Sequence, residues 1–247
     1  MDSLNTKLTQ IGPGIYKISK QSARPEKLEI NGELHSRFMD IFYLRDSTQQ
    51  LNESKVIALC REREKLPSYG EVNSTVKQVF SKFISEHGGI NILEIGAGKA
   101  PTIKNYNGEG KYILADTDPK VVELNITNGG EYTWFSSSEG LKYPSEFFDL
   151  AFAVFVFHFK IYDSQLIELR RCIKPNGILL ANVYLLNDEE RHELSASIKS
   201  QGFSLVKVSD PIEICRNHEF WLFSPERQSL ETAEETLKKI LASLFSE

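Results

Sequence analysis

The sequence is poor in the features that would take it out of ordinary globular chemistry. Three cysteines, Cys60, Cys172 and Cys215, stand far apart with no CxxC spacing, which excludes a disulfide framework and fits a reducing compartment. Five histidines show no HxxxH spacing, so no metal site is expected. No basic-then-apolar leader opens the chain, and the longest apolar run, Leu150 to Phe157, is too short to cross a bilayer. A cytoplasmic protein with no membrane partner is therefore expected. No sign of charge dominates: 29 Lys and Arg face 34 Asp and Glu, for a net charge of −5, which excludes a chain-wide nucleic-acid footprint. Residues 1–70 hold eleven basic against nine acidic residues, so the remainder carries the acidity. That near-neutral stretch reads as a solvated mixed surface.

What is present is organised around Ile90 to Pro119. A short apolar run bounded by Gly88-Gly89 ends in Glu94-Ile95-Gly96-Ala97-Gly98, where a buried strand must turn sharply and leave its backbone accessible. A second apolar run ends in an acid, Asp116. Small residues let a ligand approach the backbone, and a carboxylate one strand over can hold a ribose. On its own this grammar admits any nucleotide-type cofactor.

At 247 residues the chain has room for one large domain and an accessory piece. Pro13 between two glycines forces a turn ahead of a short alternating segment, and residues 28–34 read as a hairpin around Asn31-Gly32. From Leu34 the positions Phe38, Ile41, Phe42 and Leu44 keep helical spacing, and a second helix is expected over Ser54 to Glu64. The N-terminal piece is thus expected to be mainly helical. Val76, Val79, Phe80, Phe83 and Ile84 then mark a helix from Asn73 or Ser74 to His87.

Beyond Ile90 strand and helix alternate. Strands are expected at 90–95, 111–116, 131–136, 149–157, 177–184, 203–209 and 219–223, with helices around 118–126, 163–173 and 188–200. The run from Leu150 to Phe157 is apolar at every position, as a central parallel strand covered on both faces must be. The expected fold is α/β: a Rossmann-like, doubly wound, mostly parallel seven-stranded sheet. Residues 1–72 would form a cap for substrate recognition, 73–226 the cofactor-binding domain, and 227–247 a C-terminal amphipathic helix. That helix, with Leu230, Ala233, Leu237, Ile240, Leu241 and Leu244 on one stripe, is expected to pack at home, and a homodimer stays open.

The motifs in this order resemble those of class I S-adenosylmethionine-dependent methyltransferases, in particular the generic small-molecule branch typified by methyltransferase domain 11. LEIGAGKA at 93–100 matches the glycine motif, and LADTDP places the ribose acid at Asp116. The segment from Leu141 to Phe159 resembles the family's approach to strand four and the histidine after it. LIELRRCIKPNGILLA at 166–181 resembles the segment leading into strand five. The chain departs from the pattern at Ala100-Pro101, where a third glycine is usual. Its connector to Asp116 is short, so the first helix should be short or irregular. Ser136-Ser137-Ser138-Glu139 stands where relatives carry an acid near the adenine amine.

The resemblance implies S-adenosyl-L-methionine as cofactor, held by Glu94, Gly96, Ala97, Gly98, Asp116, Thr117, Ser137, Ser138 and Phe155. It implies an acceptor beside the end of strand four, where His158 is the titratable side chain available as a base; a packing role for that histidine is the alternative. Arg37, Tyr43 and Tyr69 of the cap and Tyr184 after strand five are the expected acceptor contacts. Asp118 reads equally as a site residue or a helix cap, and Asp149 as structural. No [DNS]-P-P-[YF] follows strand four and no Pro-Cys stands there, which disfavours base or glutamine amino-methylation and a covalent cytosine mechanism. A small-molecule acceptor is expected. A nucleotide, RNA or peptide acceptor, and a cofactor-binding protein without catalysis, are the alternatives.

Overall fold

A computed structural model describes residues 8–18, 25–39, 41–66, 70–104, 106–211, 213–215 and 217–245. The chain divides into two units, Met1–Ser68 and Tyr69–Glu247.

In the smaller unit, Pro13-Gly14 joins β1 (Leu8–Gly12) to β2 (Ile15–Ile18), with Gly14 at φ 72°. Asn31 and Gly32, at φ 55° and 79°, join β3 (Lys27–Ile30) to β4 (Glu33–Phe38), the pair of positive angles that a two-residue hairpin favours. With β5 (Phe42–Leu44) these strands form an antiparallel sheet in the order β1-β2-β5-β4-β3. One helix, α1 (Glu53–Arg63), follows, capped by Asn52 accepting the Lys55 N–H at 3.1 Å. The expectation of a mainly helical cap is corrected here. Residues 34–44 form two strands broken at Met39, which sits at φ 53°. The period-two signal was hidden because the pattern is inverted: Leu34 faces solvent while the next residue, His35, is buried.

The larger unit begins with α2 (Gly70–His87), a few residues earlier than expected. Then follow β6 (Ile92–Ile95), β7 (Tyr112–Asp116), α3 (Pro119–Thr127), β8 (Tyr132–Trp134) and β9 (Phe148–Ala153). The unit continues through α4 (Asp163–Cys172), β10 (Ile173–Val183), α5 (Asp188–Ser200), β11 (Ser204–Ser209), β12 (Glu219–Ser224) and α6 (Arg227–Phe245). The seven strands run β11-β12-β10-β9-β6-β7-β8. Pairings from β10 across to β8 are parallel, and β12 is antiparallel to both neighbours. This is the expected seven-stranded, mostly parallel sheet.

Alternation along β9 explains why it is apolar throughout. Ala151 and Ala153 face a core with Leu166 and Leu169 of α4 and Leu194 and Ile198 of α5, whereas Leu150 and Phe152 face α2 and α6. Leu230, Ala233, Leu237, Ile240 and Leu241 bury the stripe of α6 in that second core. Its apolar face is therefore occupied within the unit.

Candidate active site

The turn after β6 is shaped by two glycines in the left-handed region, Gly96 at φ 68° and Gly98 at φ 58°. A Cβ on Gly96 would lie 2.4 Å from Val156 Cγ2, so only a glycine here lets the loop after β9 pack against the turn. Gly96 and Ala97 N–H both donate to the Ala115 carbonyl, at 2.8 and 3.1 Å. The stretch to β7 carries no helix among the described residues, which goes further than the short helix expected. Glu94 replaces that helix as an anchor. Its buried carboxylate accepts from Thr102 N–H at 3.1 Å, from Thr102 Oγ1 at 2.7 Å and from the Tyr112 hydroxyl. Burial pushes the Glu94 carboxyl above its usual range, against the pull of those donors and the Lys77 charge.

Asp116 closes the other side. One carboxylate oxygen accepts the Gly98 N–H at 2.9 Å and the other the Asp118 N–H at 2.8 Å. The acid is thereby oriented between the glycine turn and the start of α3 before any ligand arrives. Thr117 follows it, half-buried, its carbonyl accepting from Trp134 Nε1 at 3.2 Å. Asp118 is a helix cap, accepting the Lys120 N–H at 3.0 Å. In the next loop the buried Ser136 Oγ accepts from the N–H groups of Ser138 and Glu139, at 3.3 and 3.1 Å. The Ser137 carbonyl accepts from Ser164 Oγ at 2.8 Å.

At the end of β9 the chain leaves the sheet earlier than expected, after Ala153. Phe155 sits at φ 57°, a conformation that costs a non-glycine residue about 1–3 kcal/mol and persists where its surroundings hold it. Its ring meets Tyr184 edge-on, with centroids 5.2 Å apart. His158 is fully buried, its Nε2 3.3 Å from the Tyr184 hydroxyl. Phe155, His158 and Tyr184 therefore form one cluster. Arg37 and Tyr43 belong to the smaller unit, where Arg37 pairs with Glu26 and the buried Tyr43 hydroxyl donates to the Pro25 carbonyl at 2.8 Å. Tyr69 lies outside the described residues.

The site also uses residues that no motif marked. Asn125 of α3 donates from Nδ2 to the Gly98 carbonyl at 2.9 Å, and Asn182 of β10 accepts the Phe155 N–H at 2.6 Å. Both are buried amides. Asn182 is the lone polar residue of the run from Ile178 to Val183, a signal the sequence does carry.

A plain dinucleotide-binding sheet has six parallel strands. This one inserts the antiparallel β12 between β10 and β11, and its glycine turn is one that a side chain would close. The fold is that of an S-adenosylmethionine-dependent methyltransferase of known structure. Residues 93–181 match the family model described as a methyltransferase domain. No curated relative matches the chain by sequence. Among solved structures it is similar to the 1,6-didemethyltoxoflavin-N1-methyltransferase of Burkholderia thailandensis, solved with 1,6-didemethyltoxoflavin and S-adenosylhomocysteine bound. The identity is 13% and the TM-score 0.51, over 82% of this chain and 100% of that one. It is also similar to a SAM-dependent methyltransferase from Aquifex aeolicus, at 20% identity and a TM-score of 0.47, over 70% of this chain and 98% of that one.

Proposed function

We propose that the domain transfers the methyl group of S-adenosylmethionine to an O, N or C atom of a small-molecule acceptor. Bound at the glycine turn, the cofactor supplies a methyl group already activated on a sulfonium, so the protein's contribution is alignment. Asp116 accepts the ribose hydroxyls, as a bidentate carboxylate suits. Glu94, Gly96, Ala97 and Gly98 shape the turn, and Thr117, Ser137, Ser138 and Phe155 complete the cofactor's surroundings. The observation that carries the reading is the pre-set carboxylate of Asp116, pinned through both oxygens beside the glycine turn.

The small-molecule preference rests on the aromatic cluster after β9 and β10, where His158 and Tyr184 are both buried. Such a lining suits a compact acceptor better than a polymer. His158 is assigned as the base or positioning group for the acceptor and Tyr184 as an acceptor contact. Arg37, Tyr43 and Tyr69 carry over from the sequence as further contacts.

Calorimetry tests the cofactor half of this reading. S-adenosylmethionine and its demethylated product should bind in the micromolar range, and Asp116→Ala should lose both while circular dichroism shows it folded. Absence of binding to the unaltered protein overturns the reading. Turnover of candidate acceptors should fall sharply in His158→Ala, and an unchanged rate removes that histidine from the mechanism.

A further inference from the structure

Asn182 is fully buried in β10, and a buried amide has to be satisfied at both its oxygen and its nitrogen. Its Oδ1 accepts the Phe155 N–H at 2.6 Å, and its Nδ2 lies 3.1 Å from His218 Nε2. His218 Nδ1 in turn lies 2.8 Å from Asp210 Oδ2, with both side chains fully buried. Asp210 Oδ2 also accepts the Ile214 N–H at 2.7 Å. The direction of every bond is then fixed from one end. Phe155 N–H can only donate, so Asn182 presents its oxygen there and its NH2 to the histidine. His218 Nε2 must accept that hydrogen, which puts the ring proton on Nδ1, donating to the Asp210 carboxylate. Three groups thus donate in one direction and Asp210 accepts at the end, from the loop after β9 to the connection between β11 and β12.

The loop at the start of that chain is the one that touches the glycine turn. Phe155 is held at φ 57°, the neighbouring Val156 fills the space where a Gly96 side chain would be, and the Phe155 ring stands edge-on to Tyr184. We propose that Asn182, His218 and Asp210 are positioning residues for methyl transfer, holding Phe155 in its left-handed conformation and thereby fixing the wall between cofactor and acceptor. The inference rests on the reading of the Gly96–Asp116 turn as the cofactor site.

The test uses the full chain and S-adenosylhomocysteine, at a temperature where circular dichroism shows each variant folded. His218→Phe keeps the ring's bulk and removes both bonds. His218→Gln places an oxygen and an N–H at the end of the side chain and can restore them. Binding should weaken about tenfold in His218→Phe and in Asn182→Leu, the scale of one buried hydrogen bond to a strained backbone group. His218→Gln should recover most of the loss. In parallel, the amide proton of Phe155, read in 15N-phenylalanine-labelled protein without ligand, should move upfield in His218→Phe and return in His218→Gln. Wild-type affinity in both weakened variants, with only the melting temperature lowered, overturns the proposal, as does an unmoved Phe155 amide. If the unaltered protein binds no S-adenosylhomocysteine, the cofactor reading fails by itself, and the amide shift still decides whether the relay holds Phe155.

Discussion

At the carboxyl ends of its parallel strands the larger unit holds Gly96, Gly98, Phe155 and Leu185 at positive φ. At the amino ends it holds a satisfied cluster around Asp149. One Asp149 oxygen accepts the N–H groups of Ile90 and Asn91, at 3.2 and 2.8 Å, and the other pairs with Lys174 at 2.5 Å. Positive φ occurs at both ends, with Glu146 at 55° just before β9; the difference is that the first end carries the glycine turn and Asp116, whereas the second ties the starts of β6, β9 and β10 together. The contrast teaches where substitutions should act. Changes at the carboxyl end should alter binding as well as stability, and changes at the amino end stability alone.

The largest effect is expected at Gly96. Gly96→Val forces a branched side chain into a left-handed position already occupied by Val156, and should weaken S-adenosylhomocysteine binding about a hundredfold while costing about 2–3 kcal/mol of stability. Calorimetry and thermal melting separate the two, and unchanged affinity would break the comparison at its stronger end. A smaller effect, confined to stability, is expected at the other end. Asp149→Ala leaves two backbone donors and Lys174 without their acceptor and should cost about 1–3 kcal/mol, discounted toward the lower figure because the pair is partly exposed. Its cofactor affinity should stay at the wild-type value; a tenfold loss would show that the two ends are coupled.

The smallest effect is a pH dependence at that amino end. Burial works to raise the Asp149 carboxyl, but Lys174 and the N–H groups of Asn91 and Ile90 together outweigh it and hold it below its usual range. With the folded value depressed, its contribution is present above the unfolded value of about 4 and is lost as pH falls through the folded one. Melting temperatures taken from pH 5 downward should therefore fall less steeply in Asp149→Asn than in the unaltered protein. Parallel curves would remove Asp149 from the acid sensitivity.

The same two-sided view explains what could be read from residues alone. Strands β6 to β12 and the helices among them stand within a few residues of their expected places, because each is a strongly patterned run between glycine, proline or capping residues. Phe155 was expected inside a strand and instead turns out of it. Its apolar run continues to Phe157, and nothing in it announces that Asn182, distant in sequence, captures the Phe155 N–H. The missing helix after the glycine turn was only half-legible, since Thr102 and Tyr112 converge on Glu94 solely in three dimensions. In the smaller unit the exposed Leu34 and buried His35 reversed the usual code and made strands look helical.

One consequence concerns the order in which the chain is made. The face of the sheet carrying Ile92, Leu150, Phe152 and Leu180 is shared by α2, at the start of the larger unit, and α6, at its end. During synthesis α2 emerges long before α6, so that apolar face is left half-dressed until α6 emerges too. Contacts between such distant segments form late and slowly. The nascent domain therefore passes through a window in which that face is exposed, and shortening α6 should be felt first as poor recovery from the cell.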